Sequence, residues 1–198
     1  MSEPRIGRLV VATLHEAIAE TLPLRLEFYE NWLQPLGLLQ QGKQIGAASF
    51  SAALSFLRRE DPPTLYDQVT RRAGELTAEW TFAGLPWTRR QWVRILPARL
   101  RARAALRMAR GLARAGYPGS RLIASLDGGT GRIEVRGSIF CQVREAVDAP
   151  LCGFYAGLIV RLFAVHGLDA TCTPTRCRAS GGHSCELALD WRSVERTS

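Results

Sequence analysis

The stretch from Pro150 to Trp191, PLCGFYAGLIVRLFAVHGLDATCTPTRCRASGGHSCELALDW, constrains this chain more than any other. Four of its five cysteines fall there, at Cys152, Cys172, Cys177 and Cys185. Leu151, Phe154, Leu158, Leu162 and Val165 recur at helical spacing, and Gly167 supplies a stop, so a helix over Leu151 to His166 is expected. Ala170 to Arg176 and Cys185 to Trp191 read as strands around a Gly181-Gly182 turn. A hairpin of this kind sets Cys177 and Cys185 on either side of its turn. A cysteine at the start of the preceding helix is then within reach of both, which is one way to build a site for a soft metal.

The rest of the chain supplies a helical front half. Ile6 to about Gly42 carries a broad apolar face (Leu9, Ala12, Ile18, Leu22, Leu26, Tyr29, Leu33) with a break at Pro23. Further helices are expected over Ala47 to Arg59 and over Leu65 to Phe82, the latter capped by Thr64, and then from Thr88 onward. Arg89 to Gly116 is the most basic stretch. If it is helical, its small-residue stripe (Ala98, Ala102, Ala105, Ala109, Leu112) lies beside an arginine stripe (Arg99, Arg103, Arg107, Arg110, Arg114); this is a core face next to a solvated one, or a surface that lets another helix or a flat ligand approach closely. Ser120 to Leu126 and Arg132 to Arg136 alternate as two strands about Asp127-Gly128-Gly129-Thr130-Gly131, and Ser138 to Val143 reads as a third strand that would carry Cys141. The expected fold class is therefore α+β in a single domain over 1–198. Residues 1–118 are mainly helical, and 119–191 form two hairpins with a helix between them.

Charge and composition narrow the function. The net charge is +8, and all but one of the 26 basic residues are arginine, which points to an acidic partner such as a carboxylate ligand or an anionic surface. No helix-turn-helix pattern accompanies the arginines, so specific nucleic-acid recognition is not expected. The glycine cluster at 128–131 joins two strands instead of opening a helix, and nothing else resembles an NAD(P) or flavin motif. No apolar run is long enough to span a bilayer, and the helix from Leu151 carries Arg161 in its middle, so a cytoplasmic protein with reduced cysteines is expected.

The segments PLCGFYAGLIVRLF and PTRCRASGGHSCELAL resemble the C-terminal half of the 4-vinyl reductase domain, a small-molecule-binding module. The arginine- and alanine-rich run ILPARLRARAALRMARGLARAGYPGSR is similar to the bacteriochlorophyll 4-vinyl reductase subgroup. That resemblance implies a zinc ion held by Cys152, Cys177 and Cys185. The family's acidic ligand falls here on Pro174, which has no ligand atom; Cys172, on the same strand face, or His183 in the turn would then be fourth. It further implies a hydrophobic small molecule, specifically a tetrapyrrole intermediate of bacteriochlorophyll synthesis, as ligand. Trp80, Trp92, Arg99, Arg103, Phe140, Phe154 and Tyr155 are the candidate contacts. A homodimer through the N-terminal helices and a biosynthetic enzyme as partner belong to the same expectation. A ligand-sensing module, or a true 4-vinyl (8-vinyl) reductase, are the alternatives.

Overall fold

Prolines punctuate the helical half of the protein. The computed structural model describes residues 4–33, 45–60, 62–143 and 147–194. Helix α1 (Arg8–Thr21) gives way at Pro23 to a single 3-10 turn and then to α2 (Leu26–Leu33), so the expected break is present; the expected continuation to Gly42 lies outside the described residues. Helix α3 (Ala47–Arg59) is followed by α4 (Pro63–Ala83), α5 (Trp87–Ile95) and α6 (Ala98–Gly116). Pro62, Pro86 and Pro97 stand immediately before α4, α5 and α6, where a residue without an N–H leaves no helical bond unmade. One sequence expectation is corrected by this: Thr64 and Thr88 lie inside helices instead of capping them. The arginine-rich stretch is two helices broken at Leu96-Pro97.

Two antiparallel hairpins follow. Strands β1 (Arg121–Asp127) and β2 (Thr130–Arg136) form the first, and β3 (Leu168–Arg176) and β4 (Cys185–Ser193) the second. They join through β2 and β4 into one sheet of order β1-β2-β4-β3. One face is apolar, with Leu122, Ile133, Val135, Leu187 and Leu189 buried. The other carries charge, including Arg132 bonded to Glu186 at 2.6 Å. The third strand expected over Ser138 to Val143 is instead a 3-10 turn, Ile139–Cys141. The phenol of Tyr66 on α4 donates to the Phe140 carbonyl at 2.9 Å and fixes that turn against the helices.

Helix α7 (Gly153–Val165) is the centre of the molecule. It packs against α4, against α6 and against β3 of the sheet, and α1 packs on α4. Its sequence is apolar nearly all round, as a helix enclosed on most sides requires, and Arg161 and Ala164 mark its one exposed edge. Glycine sets the spacing between α4 and α7. A Cβ at Gly157 would overlap the Arg71 carbonyl, one at Gly153 the Asp67 carboxylate, and one at Gly74 the Phe154 carbonyl. The two backbones therefore touch directly, and α7 begins deep inside the protein. Arg161, the one charge on α7, reaches Glu79 of α4 at 2.9 Å. No helix among the described residues is long and apolar enough to cross a membrane.

Candidate metal centre

Four separate elements deliver one sulfur each to a point beneath the N-terminus of α7. Cys141 ends the 3-10 turn after β2, and Cys152 occupies the position before α7. Cys177 opens the 3-10 turn after β3, and Cys185 is the first residue of β4. Their Sγ atoms all lie within 4.8 Å of one another and all four residues are buried. The measured separations are 3.3 Å for Cys152–Cys177, 3.6 Å for Cys141–Cys152 and Cys141–Cys177, and 3.8 Å for Cys177–Cys185. A zinc ion at about 2.3 Å from each of four thiolates in a tetrahedron sets sulfurs about 3.8 Å apart, so these residues fit that ion.

Local backbone geometry supports thiolate at this point. Leu151 and Ala179 each donate a backbone N–H to the Cys177 sulfur at 3.4 Å. The turn that carries Ala179 closes on Gly181 at φ +89°, a left-handed conformation that glycine adopts without strain. Val147 donates to the Ala179 carbonyl at 2.8 Å and ties the loop before Cys152 to the same turn.

The electrostatics of the cluster are those of thiols too close together to ionise as a group. Bonds from Cys141, Cys152 and Cys185, with help from the Leu151 N–H, hold the Cys177 thiol far below the usual thiol range. Bonds from Cys141 and Cys152 also lower Cys185. Cys152 is driven far up by its contacts with Cys141, Cys177 and Cys185 and by burial. Cys141 is lowered by Cys152 but raised further by Cys177, Cys185 and burial, and ends well above the usual range. Four negative sulfurs in a dry pocket repel one another. A divalent cation at their centre would reverse that balance and favour the deprotonated form of all four.

The three expected ligands Cys152, Cys177 and Cys185 come together, and the fourth sulfur beside them is that of Cys141. Cys172 does point to the inner face of the sheet, as its strand parity requires, but it pairs with Leu189. That is four residues along β4 from Cys185, a displacement of about 13 Å. Its isolated thiol is pushed up to about 12 by burial. His183 is exposed in the turn and outside the cluster. The residue missed was Cys141. Its eleven-residue separation from Cys152 carries no metal-ligand spacing, and only the odd fifth cysteine pointed to it.

The seven candidate ligand contacts divide into two groups. Phe140, Phe154 and Tyr155 are buried in the core. Phe140 stacks on Phe154 with ring centres 4.3 Å apart, and the Tyr155 hydroxyl lies 3.1 Å from Ser120 Oγ. Trp80, Trp92, Arg99 and Arg103 lie at the surface. Arg103 lines an open groove of about 280 Å³ between α6 and β1. Arg107 and Arg110 share that wall, and Leu106, Ala124 and Leu126 provide apolar lining. Arg110 is anchored by a bond to the Ala124 carbonyl at 2.8 Å.

His15 and His166, isolated in sequence, are both buried. His15 Nε2 meets Glu30 Oε1 at 2.8 Å. His166 lies 2.7 Å from the Leu162 carbonyl through Nδ1, and burial lowers its pKa, which favours the neutral imidazole.

No family model matches the chain, and no curated protein matches it in sequence. Solved structures match its fold. An H-NOX protein from S. oneidensis in the Fe(II) ligation state aligns at TM-score 0.55 and 11% identity, covering 98% of this chain and 100% of that one. A trafficking protein particle complex subunit 3 from Naegleria fowleri, covalently bound to palmitic acid, aligns at TM-score 0.54 and 11% identity, over 76% of this chain and 95% of that one. The phenol-responsive sensory domain of the transcription activator PoxR, solved with phenol, aligns at TM-score 0.51 and 15% identity over 74% of each chain. At these identities the likeness is one of fold: helices packed on a four-stranded antiparallel sheet.

Proposed function

We propose that the protein is a small-molecule-binding module of the 4-vinyl reductase kind, clamped by a structural zinc ion on Cys141, Cys152, Cys177 and Cys185. The observation that carries this is the meeting of four buried sulfurs within 4.8 Å of one another. A closed shell of four thiolates leaves the metal no open position, so the ion supplies cross-linking and not Lewis-acid chemistry. It joins the hairpin turn, the loop before α7 and the turn after β2, and so fixes the start of the central helix. The fold neighbours solved with phenol and with palmitic acid support a small-molecule ligand.

The arginine-walled groove between α6 and β1 favours a ligand that pairs a carboxylate with apolar surface. A tetrapyrrole intermediate carrying a propionate has that chemistry, and the groove would take its acidic edge. The dimer implied by the family resemblance would use α2, where exposed Phe28 packs edge-on against Phe56 of α3 at 5.3 Å. Likeness to the PoxR sensory domain favours a second reading, in which ligand occupancy is passed to a protein partner.

Elemental analysis of protein purified without a metal-affinity tag tests the metal, with one zinc per chain expected. Titration of a dicarboxylate porphyrin, followed by its main absorption band, tests the ligand. Saturable binding weakened at least about tenfold in Arg103→Ala/Arg107→Ala is expected. Metal-free folded protein overturns the zinc clamp, and binding indifferent to the two arginines overturns the groove.

A further inference from the structure

Helix α5 is amphipathic with its apolar side turned outward. At about 100° per residue, Trp87, Ile95 and Trp92 fall within an arc of about 140°. They are 67%, 68% and 67% exposed. The half-buried positions are Arg90 and Val93 on the opposite side. A helix folding for the sake of its own core would be rotated the other way. Leu100, 43% exposed at the start of α6, extends the apolar surface beyond Pro97.

Charge limits what can cover this surface. Ten arginines occur from Arg89 to Arg121, and no aspartate or glutamate lies between Glu79 and Asp127. Arg89, Arg99 and Arg103 are exposed on α5 and the first turns of α6, beside the tryptophans in sequence. A second copy of the chain would bring a matching arginine surface against this one, and the two would repel. Nucleic acid would satisfy the arginines but has no use for the aliphatic Ile95 and Leu100. An anionic bilayer satisfies both: tryptophan favours the headgroup level, aliphatic side chains enter the acyl boundary, and arginine pairs with phosphate.

We propose that α5 and the first turns of α6 form a docking surface for an anionic lipid bilayer, on which α5 lies flat with Trp87, Trp92 and Ile95 inserted. The protein then attaches at a membrane surface without spanning it, and the arginine groove between α6 and β1 sits near the lipid headgroups.

Sedimentation of the full chain with vesicles of equimolar phosphatidylglycerol and phosphatidylcholine tests this, with pure phosphatidylcholine vesicles as reference. Binding to the anionic vesicles is expected to be at least about tenfold stronger, weakened by salt, and accompanied by a blue shift of tryptophan emission. Trp87→Ser/Trp92→Ser is expected to lose at least about tenfold in binding with its circular dichroism and melting temperature unchanged, because both side chains are exposed. Arg89→Glu is expected to weaken binding to the anionic vesicles only. Failure to sediment with the anionic vesicles overturns the proposal. So does undiminished binding by the double variant, which would mean adsorption by arginine alone. Tryptophan-dependent dimerisation or oligonucleotide binding without vesicle binding overturns it equally.

Discussion

The Sγ of Cys141 lies 3.6 Å from that of Cys152, although one residue ends the turn after β2 and the other precedes the central helix. This contact makes Cys141, and not Cys172, the fourth member of the sulfur cluster. Cys141→Ser is therefore expected to lose bound zinc and to unfold more easily. Structural zinc binds with about 10–16 kcal/mol, so loss of the ion is expected to destabilise the fold by several kcal/mol. Cys172→Ser should keep its zinc. Metal content and denaturant midpoints of the two variants, measured side by side, decide it; equal zinc in both would remove Cys141 from the site.

Parity along β3 correctly placed Cys172 on the inner face, because side chains alternate with a period of two. Parity says nothing about distance along the strand, and the pairing of Cys172 with Leu189 sets it well away from Cys185. Cys141 was hidden for another reason. Ile139-Phe140-Cys141 has the composition of a strand, and it becomes a 3-10 turn through a bond from Tyr66, 74 residues earlier. The two hairpins, the central helix and the buried alanine stripe of α6 were legible because each follows from local period and glycine placement. The outward face of α5 was not, because its arginine-rich sequence concealed that Pro97 would end the helix.

Contact between α4 and α7 gives a second prediction, with an internal control. Gly157→Ala would drive a methyl group into the Arg71 carbonyl. The expected loss is about 1–3 kcal/mol or more, since neither backbone can withdraw without moving a helix. Gly111, on the exposed side of α6, has no atom within 4 Å of where its Cβ would lie. Gly111→Ala should stabilise by about 0.5–1 kcal/mol through helix propensity alone. Urea unfolding of both variants checks the contrast; a neutral Gly157→Ala would show that the helices are further apart.

His166 makes the stability of the fold depend on pH. Burial lowers its pKa from the usual value of about 6.5, and the contribution of nearby Arg101, which donates to the His166 carbonyl at 3.0 Å, acts in the same direction. Because the folded-state pKa lies below the unfolded one, this histidine's stabilising contribution is fully present above about pH 6.5. As the pH falls the unfolded chain takes up the proton first, and the contribution is lost down to the folded-state pKa. Within that window the slope for one proton approaches about 1.4 kcal/mol per pH unit. His166→Asn keeps a donor for the Leu162 carbonyl but cannot titrate. The stability difference between wild type and His166→Asn, followed from pH 8 downward, is expected to be constant above about pH 6.5 and to shift in favour of the variant below it. Taking the difference cancels every titration common to the two proteins. A pH-independent difference would mean that His166 is reached by solvent and carries its charge in the folded protein.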